Sequence, residues 1–391
     1  MRTYLDHAAT TPLRDEVLAA MLPYLTDHFG NASSLHADGR RARQGLDEAR
    51  ESIARIMGAT PREIVFTSGG SEADNLAVKG AAWAASARGR HIVTSSVEHK
   101  AVLYTCAVLE RSGFEVTYLP VDGYGRVDPA EVEAAITDHT ALVSIMYANN
   151  EVGTIQPIAE IGAICRRAGV LFHSDAVQAG GFLPLDVDPL GVDLLSLSAH
   201  KVYGPKGVGA LFVRHGTALL PQIQGGAQER QRRAGTENVA GIVGFARAME
   251  LAQGEPAARD AENARLAVLR DQLLARVSDT PGLEPTGHPV ERLPHNASWL
   301  IDGVEGGDLV AALDLEGVAS STGSACTSGS TEPSHVLLAM GIDPERAHGA
   351  LRLTAGRSTD EADVERAAEV LRTAVARIRD QAPARSEAAS G

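Results

Sequence analysis

Residues 170–213 read VLFHSDAVQAGGFLPLDVDPLGVDLLSLSAHKVYGPKGVGALFV. Three short apolar runs, Val170–His173, Leu194–Leu197 and Ala210–Val213, are separated by turn-rich segments, as expected of strands buried on both faces of a helix-covered sheet. The first two runs end on polar residues, Ser174-Asp175 and Ser198-Ala199-His200-Lys201. Upstream the same texture recurs at Ile64–Thr67, His91–Thr94, Val116–Leu119 and Ala141–Met146. Helical stretches lie between, such as Ile158–Ala168 after the start signal Pro157, and Leu46, Ala49, Ile53 and Ile56 share one face of an earlier helix. The pattern predicts an α/β fold with a mainly parallel seven-stranded sheet.

The texture changes near Gly254-Glu255-Pro256. A long amphipathic helix follows, with Leu266, Leu269, Leu273 and Val277 on one stripe, then strand-like pieces such as Ala297–Ile301. A Ser/Gly-rich loop, 320–330, precedes a last helix. That helix is expected to start at a capping box, Ser358-x-x-Glu361, and to present Val364, Ala368, Leu371, Val375 and Ile378. The expected division is a large α/β domain over 15–255 and a smaller α+β domain over 256–391, with residues 1–14 packing on the smaller one.

Composition narrows the function classes. Of 391 residues, 44% are hydrophobic and 22% charged, an ordinary globular balance. The net charge of −14 argues against non-specific nucleic-acid binding and against an anionic membrane surface. No apolar run reaches the ~20 residues of a membrane span, and the start MRTYLDHAATTP lacks a signal core, so the reading is a cytoplasmic protein. Three cysteines, Cys106, Cys165 and Cys326, lie far apart without a CxxC pair, which favours neither a disulfide framework nor a metal site. Only four lysines occur, Lys79, Lys100, Lys201 and Lys206, so covalent amine chemistry has four candidates.

Ligands of open α/β sheets bind beyond the carboxyl ends of the strands, and polar residues stand at several of these ends. Ser68-Gly69-Gly70-Ser71 leads from a strand into a helix, a shape that suits one phosphate group and equally suits a plain tight turn. There is no Gly-Lys-Ser/Thr, so it is not a nucleotide P-loop. His99, in Val97-Glu98-His99-Lys100, is an acid/base candidate or a structural histidine. Asn150 follows Ala141–Met146. Asp175 ends a buried strand, where its charge needs a cation, either a ligand's or an arginine's. Lys201 stands directly against the next strand end. Pyridoxal phosphate needs a lysine to form its imine, a carboxylate at the ring nitrogen and a phosphate cup; Lys201, Asp175 and Ser71 supply them in neighbouring loops. Cys326 sits among Gly, Ser and Thr, unlike Cys106 and Cys165 in apolar helices, which marks it as a nucleophile candidate.

On these motifs the sequence resembles the cysteine desulfurases of the NifS/IscS type, first branch, within the class V aminotransferases. The segments that carry the resemblance are YLDHAATTP, TSGGSEADN, SSVEHKAV, ANNEVGTIQP, HSDAVQAGG, SLSAHKVYGPKGVGAL, RRAGTENV, SSTGSACTSG and AHGALRLTAGR. The resemblance implies the fold of the pyridoxal-phosphate transferases (aspartate aminotransferase-like, fold type I). It implies that Lys201 holds the cofactor and moves protons, that His99 lies over the ring as acid/base, and that Asp175 meets the ring nitrogen. Gln178 and Asn150 would bond the ring edge, while Gly70, Ser71, Ser198 and His200 would hold the phosphate. Thr236 would reach the phosphate of a neighbouring subunit in a homodimer, and Arg352 would clamp the substrate carboxylate.

The implied reaction converts L-cysteine to L-alanine and leaves the sulfur on Cys326 as a persulfide, for delivery to iron–sulfur cluster assembly or to tRNA or cofactor thiolation. A sulfur-acceptor protein is the implied partner, and an iron–sulfur cluster intermediate bridged through Cys326 is a further implication. Rival readings are a selenocysteine lyase or another carbon–sulfur lyase, and a silent scaffold of the same fold. The Cys326 loop argues against a lyase that needs no nucleophile, and the presence of both Lys201 and Cys326 argues against the scaffold.

Overall fold

The computed structural model describes residues 2–323 and 332–381. After a short first strand, β1 (Thr3–Tyr4), come β2 (Ile64–Thr67), β3 (His91–Ser95), β4 (Glu115–Leu119), β5 (Thr140–Ser144), β6 (Leu171–Asp175), β7 (Leu194–Ser198) and β8 (Gly209–Val213). These last seven form one sheet in the order β2-β8-β7-β6-β5-β3-β4. β8 runs antiparallel to both neighbours, and the other pairings are parallel. All seven strands read from the sequence are present. The apolar runs of β5, β7 and β8 are buried throughout, whereas β4, at the sheet edge, is only partly buried. Helices cover both faces, among them Ala37–Ile56, Gly70–Ala84, Ile158–Ala168 and Val239–Gln253.

Farther along, β9 (Leu283–Pro285), β10 (Asn296–Ile301) and β12 (Ala350–Thr354) make an antiparallel sheet with β10 in the middle, and β11 (Val318–Ala319) pairs in parallel with β1. Leu5 packs into the apolar cluster of this region with Leu266, Leu269, Leu273, Trp299 and Leu371. The Thr3 hydroxyl adds a bond to Asp363 Oδ1 at 2.8 Å. The chain's start is thereby fastened beside its C-terminal third, and residues 8–11 cross to the large sheet's strand ends.

The last helix, Glu361–Gln381, buries Val364, Ala368, Leu371 and Val375 as its periodicity requires. Its cap differs from the expected Ser358/Glu361 box. Asp360 Oδ1 accepts from the N–H of Asp363 at 2.9 Å, and Asp363 Oδ2 accepts from the N–H of Asp360 at 3.3 Å. Two carboxylates at a helix start also meet the positive end of its dipole, an advantage a serine hydroxyl lacks.

Candidate active site

A cleft of about 340 Å³ opens at the carboxyl ends of the central strands. Five strand-end segments reach it, with Gly70 and Ser71 after β2, His99 after β3, Asn150 after β5, Asp175 and Gln178 at and after β6, and Ser198 to Lys201 at and after β7. Ala8 and Ala9 close one side; Gly323, His335 and Arg352 close another.

Lys201 ends a single 3-10 turn, Ala199–Lys201, that caps β7. The N-terminal segment pins this turn: Thr11 gives both its backbone N–H and its hydroxyl to the His200 carbonyl, at 3.0 and 2.8 Å. Two residues on, Tyr203 is held at φ 64°, with its N–H on the Thr11 hydroxyl at 2.7 Å. A tyrosine in that left-handed region is strained, and such strain persists where surrounding bonds enforce it. The Lys201 ammonium donates to the carbonyls of Ala8 and Ala9, the latter at 2.8 Å. An amine held on neutral carbonyls, within a cleft, is placed to condense with a carbonyl-bearing ligand, with loss of water.

Asp175 is buried at the back of the cleft, and its Oδ1 accepts the N–H of Val177 at 2.9 Å. Burial pushes its acidity weaker; His99, that N–H and Lys201 work in the opposite direction. His99 is the N-cap of helix Lys100–Arg111, and its Nδ1 accepts the N–H of Ala101 at 3.1 Å. In the neutral ring that leaves the proton on Nε2. Gln178 donates to the Ala8 carbonyl at 3.0 Å.

The Ser68–Ser71 turn forms the floor of an adjoining recess, with Ser198, His200, Lys206 and Thr10 around it. Gly69 is the N-cap of helix Gly70–Ala84 and offers no side-chain cap, so the first helical amides are left for an anion. Burial, followed by Lys201 and Lys206, pushes His200 down to about 4, which keeps it a neutral imidazole; its Nδ1 lies 3.1 Å from the Thr10 hydroxyl. Hydroxyls, an imidazole, an ammonium and a helix N-terminus make a donor set suited to a phosphate monoester.

Arg352, in β12, is almost fully buried. Its Nη2 donates to Asp6 Oδ1 at 2.9 Å, and its Nη1 donates to the carbonyls of Asn150 at 2.6 Å and Gly323 at 3.3 Å. Of the twelve site residues expected from the sequence, ten line the cleft, namely Gly70, Ser71, His99, Asn150, Asp175, Gln178, Ser198, His200, Lys201 and Arg352. Thr236 is exposed and lines none of it. Cys326 lies outside the described residues. Cys106 and Cys165 are buried, and burial pushes each thiol up to about 12, which makes them inert.

Sequence reasoning missed Asp6, Asp74, Glu98 and Glu151. Asp74 had a legible signal, since it stands one turn from Gly70 on a helix face otherwise made of Ala73, Leu76 and Ala77. Glu98, beside the quoted His99, is fully buried and takes the Ser95 hydroxyl at 2.6 Å and the Met146 N–H at 2.9 Å.

The sequence profile of the Aminotransferase class-V family matches residues 3–367. The protein named cysteine desulfurase IscS of Methanosarcina thermophila is 52% identical over 380 residues, 97% of this chain and 93% of that one. A solved NifS-like protein superposes with a TM-score of 0.90 at 38% identity, covering 96% of this chain and 100% of its own. A structure described as SspA in complex with cysteine gives 0.79 at 38% identity, over 90% and 98% of the two chains. Among the described residues, no helix is long and apolar enough to cross a membrane.

Proposed function

Since the chain belongs to the aminotransferase class-V family, and within it to the cysteine desulfurases, we propose that the cleft binds pyridoxal phosphate, takes L-cysteine and releases L-alanine, with Cys326 as the first sulfur acceptor. The observation that carries the reading is the convergence of Lys201, Asp175, His99, the anion recess and Arg352 in one cleft. The residues fit the cofactor on the chemistry of their donor set. Lys201 would join its aldehyde, Asp175 would meet its ring nitrogen, and Ser71, Ser198, His200 and the helix amides would take its phosphate. When bound, pyridoxal phosphate supplies an electron sink for bonds broken next to the amino-acid α-carbon.

The chain's own groups then divide the work. The Arg352 fork takes the substrate carboxylate in a bidentate bond and fixes the amino acid's orientation. Lys201 Nζ would move a proton at the substrate α-carbon, and His99 Nε2–H would hold a second proton within the cleft. Cys326 thiolate attacks the substrate sulfur: a sulfur–sulfur bond forms, the carbon–sulfur bond breaks, and its carbon takes up a proton to become the methyl group of alanine. The sulfur remains on Cys326 as a persulfide.

The same reading extends to a cytoplasmic homodimer in which Thr236, outside its own cleft, serves the phosphate of the second copy, and to an acceptor protein in iron–sulfur assembly or thiolation. Purified protein given L-cysteine and a thiol reductant should release alanine and sulfide in equal amounts. A cofactor-loaded protein that releases alanine from selenocysteine alone would replace this reading with the lyase.

A further inference from the structure

Asp74 has no part in the chemistry above, yet it lines the same cleft. It is 1% exposed, and its Oδ1 has no hydrogen-bond partner among the described residues. Side-chain ligating atoms of Asp74, Asp175 and His99 all lie within 4.8 Å of one another. In a buried site, two carboxyls within that distance disfavour each other's charge, which drives one of them toward its protonated form.

We propose that Asp74 is a positioning residue of the cleft, protonated beside Asp175, so that the pair carries one negative charge and that charge rests on Asp175. The surroundings decide which of the two holds the proton. Asp175 accepts the Val177 N–H and faces the cationic Lys201 as well as His99. From β6, His173 Nε2 approaches Asp74 Oδ1 only to 3.7 Å, and its ring nitrogens already face the hydroxyls of Ser144 and Ser196 at 2.9 and 3.0 Å. Burial pushes His173 down to about 3, so it brings no charge. From the loop after β3, Glu98 faces the pair too, and burial pushes it up to about 8. On Asp74's own helix Lys79 donates to Asn75, at 2.7 Å. Burial and then the Asp175 charge push Asp74 well above the carboxylate range, with the Ser196 hydroxyl pulling the other way.

A single charge matches a single ring-nitrogen proton of a bound cofactor; two would leave an uncompensated charge at the back of the cleft. This consequence rests on the reading that the cleft holds pyridoxal phosphate. The protonation of Asp74 in the cofactor-free protein does not.

Infrared spectroscopy of the cofactor-free full-length protein at neutral pH tests it. We expect the carbonyl stretch of a protonated carboxylic acid that moves when aspartate is labelled with carbon-13, which separates it from Glu98. It should vanish in Asp74→Asn. In the cofactor-loaded protein, Asp74→Asn should move the pH titration of the visible absorption by less than about half a unit. Loss of an ionised Asp74 would move it further, by on the order of a pH unit or more. An absent aspartic-acid band, a band that survives Asp74→Asn, or the larger shift overturns the proposal. The labelled native protein decides the first point even if the variant does not fold. Failure to take up pyridoxal phosphate would instead defeat the reading of the cleft.

Discussion

Arg352 donates to Asp6 Oδ1 at 2.9 Å, which joins a residue at the start of the chain to one in β12. The guanidinium is buried, and its other bonds run to neutral carbonyls of Asn150 and Gly323. Asp6 is therefore its carboxylate partner, and it aims the fork while the substrate's own carboxylate is absent. Asp6→Asn keeps the shape and removes the charge. KM for L-cysteine should rise about tenfold with kcat nearly unchanged, because a binding group has lost its aim and the reacting groups have not. Steady-state kinetics at full cofactor occupancy reads this; an unchanged KM would detach Asp6 from substrate binding.

Gly209, at the start of β8, lies directly against the anion turn. A Cβ there would stand 2.6 Å from the Leu197 carbonyl oxygen and 2.7 Å from the backbone carbonyl carbon of Gly69. Both neighbours are backbone, so the strain cannot be relieved by a rotamer change. Gly209→Ala should lose about 1–3 kcal/mol of stability, as overpacked sites do. It should also bind pyridoxal phosphate more weakly, because Gly69 would be pushed off its place at the helix start. Denaturant titration and cofactor binding isotherms measure the two effects.

Glu98 gives a pH dependence. Its folded value of about 8 lies above the ordinary 4.5, because burial disfavours the charged form. A raised carboxyl contributes stability that is whole below pH 4.5 and is lost as pH rises through about 8, on the order of a few kcal/mol. His173 and His295 act oppositely. Burial pushes each down to about 3, so their contribution holds above 6.5 and is lost as pH falls toward about 3. Glu98→Gln, which still accepts from Ser95 and Met146, should flatten the alkaline loss and leave the acid limb in place. Melting temperature against pH checks it; an unchanged alkaline limb would contradict the assignment.

Much of this was legible in the residues. The seven apolar runs became seven strands because a sheet covered on both faces needs continuous burial, and the polar residues after them converge because parallel strands place their ends at one edge. Legible too were Lys201, Asp175 and His99, each standing out against an apolar strand or helix. Asp6 and the Ala8 and Ala9 carbonyls were not, since their role depends on the chain's start crossing to β7 and β12, a contact between residues some 190 to 350 positions apart. Glu98 escaped for a different reason. A buried acid and a surface acid look alike in sequence, and only the neighbours that desolvate it tell them apart.

The assignment of Cys326 as sulfur acceptor is tested most directly by mass spectrometry of the protein after one turnover of L-cysteine without reductant. The account predicts one extra sulfur atom on the peptide carrying Cys326, one alanine per site, and neither in Cys326→Ser that still holds its cofactor. An extra sulfur on another cysteine, or alanine formed at the normal rate by Cys326→Ser, would contradict it.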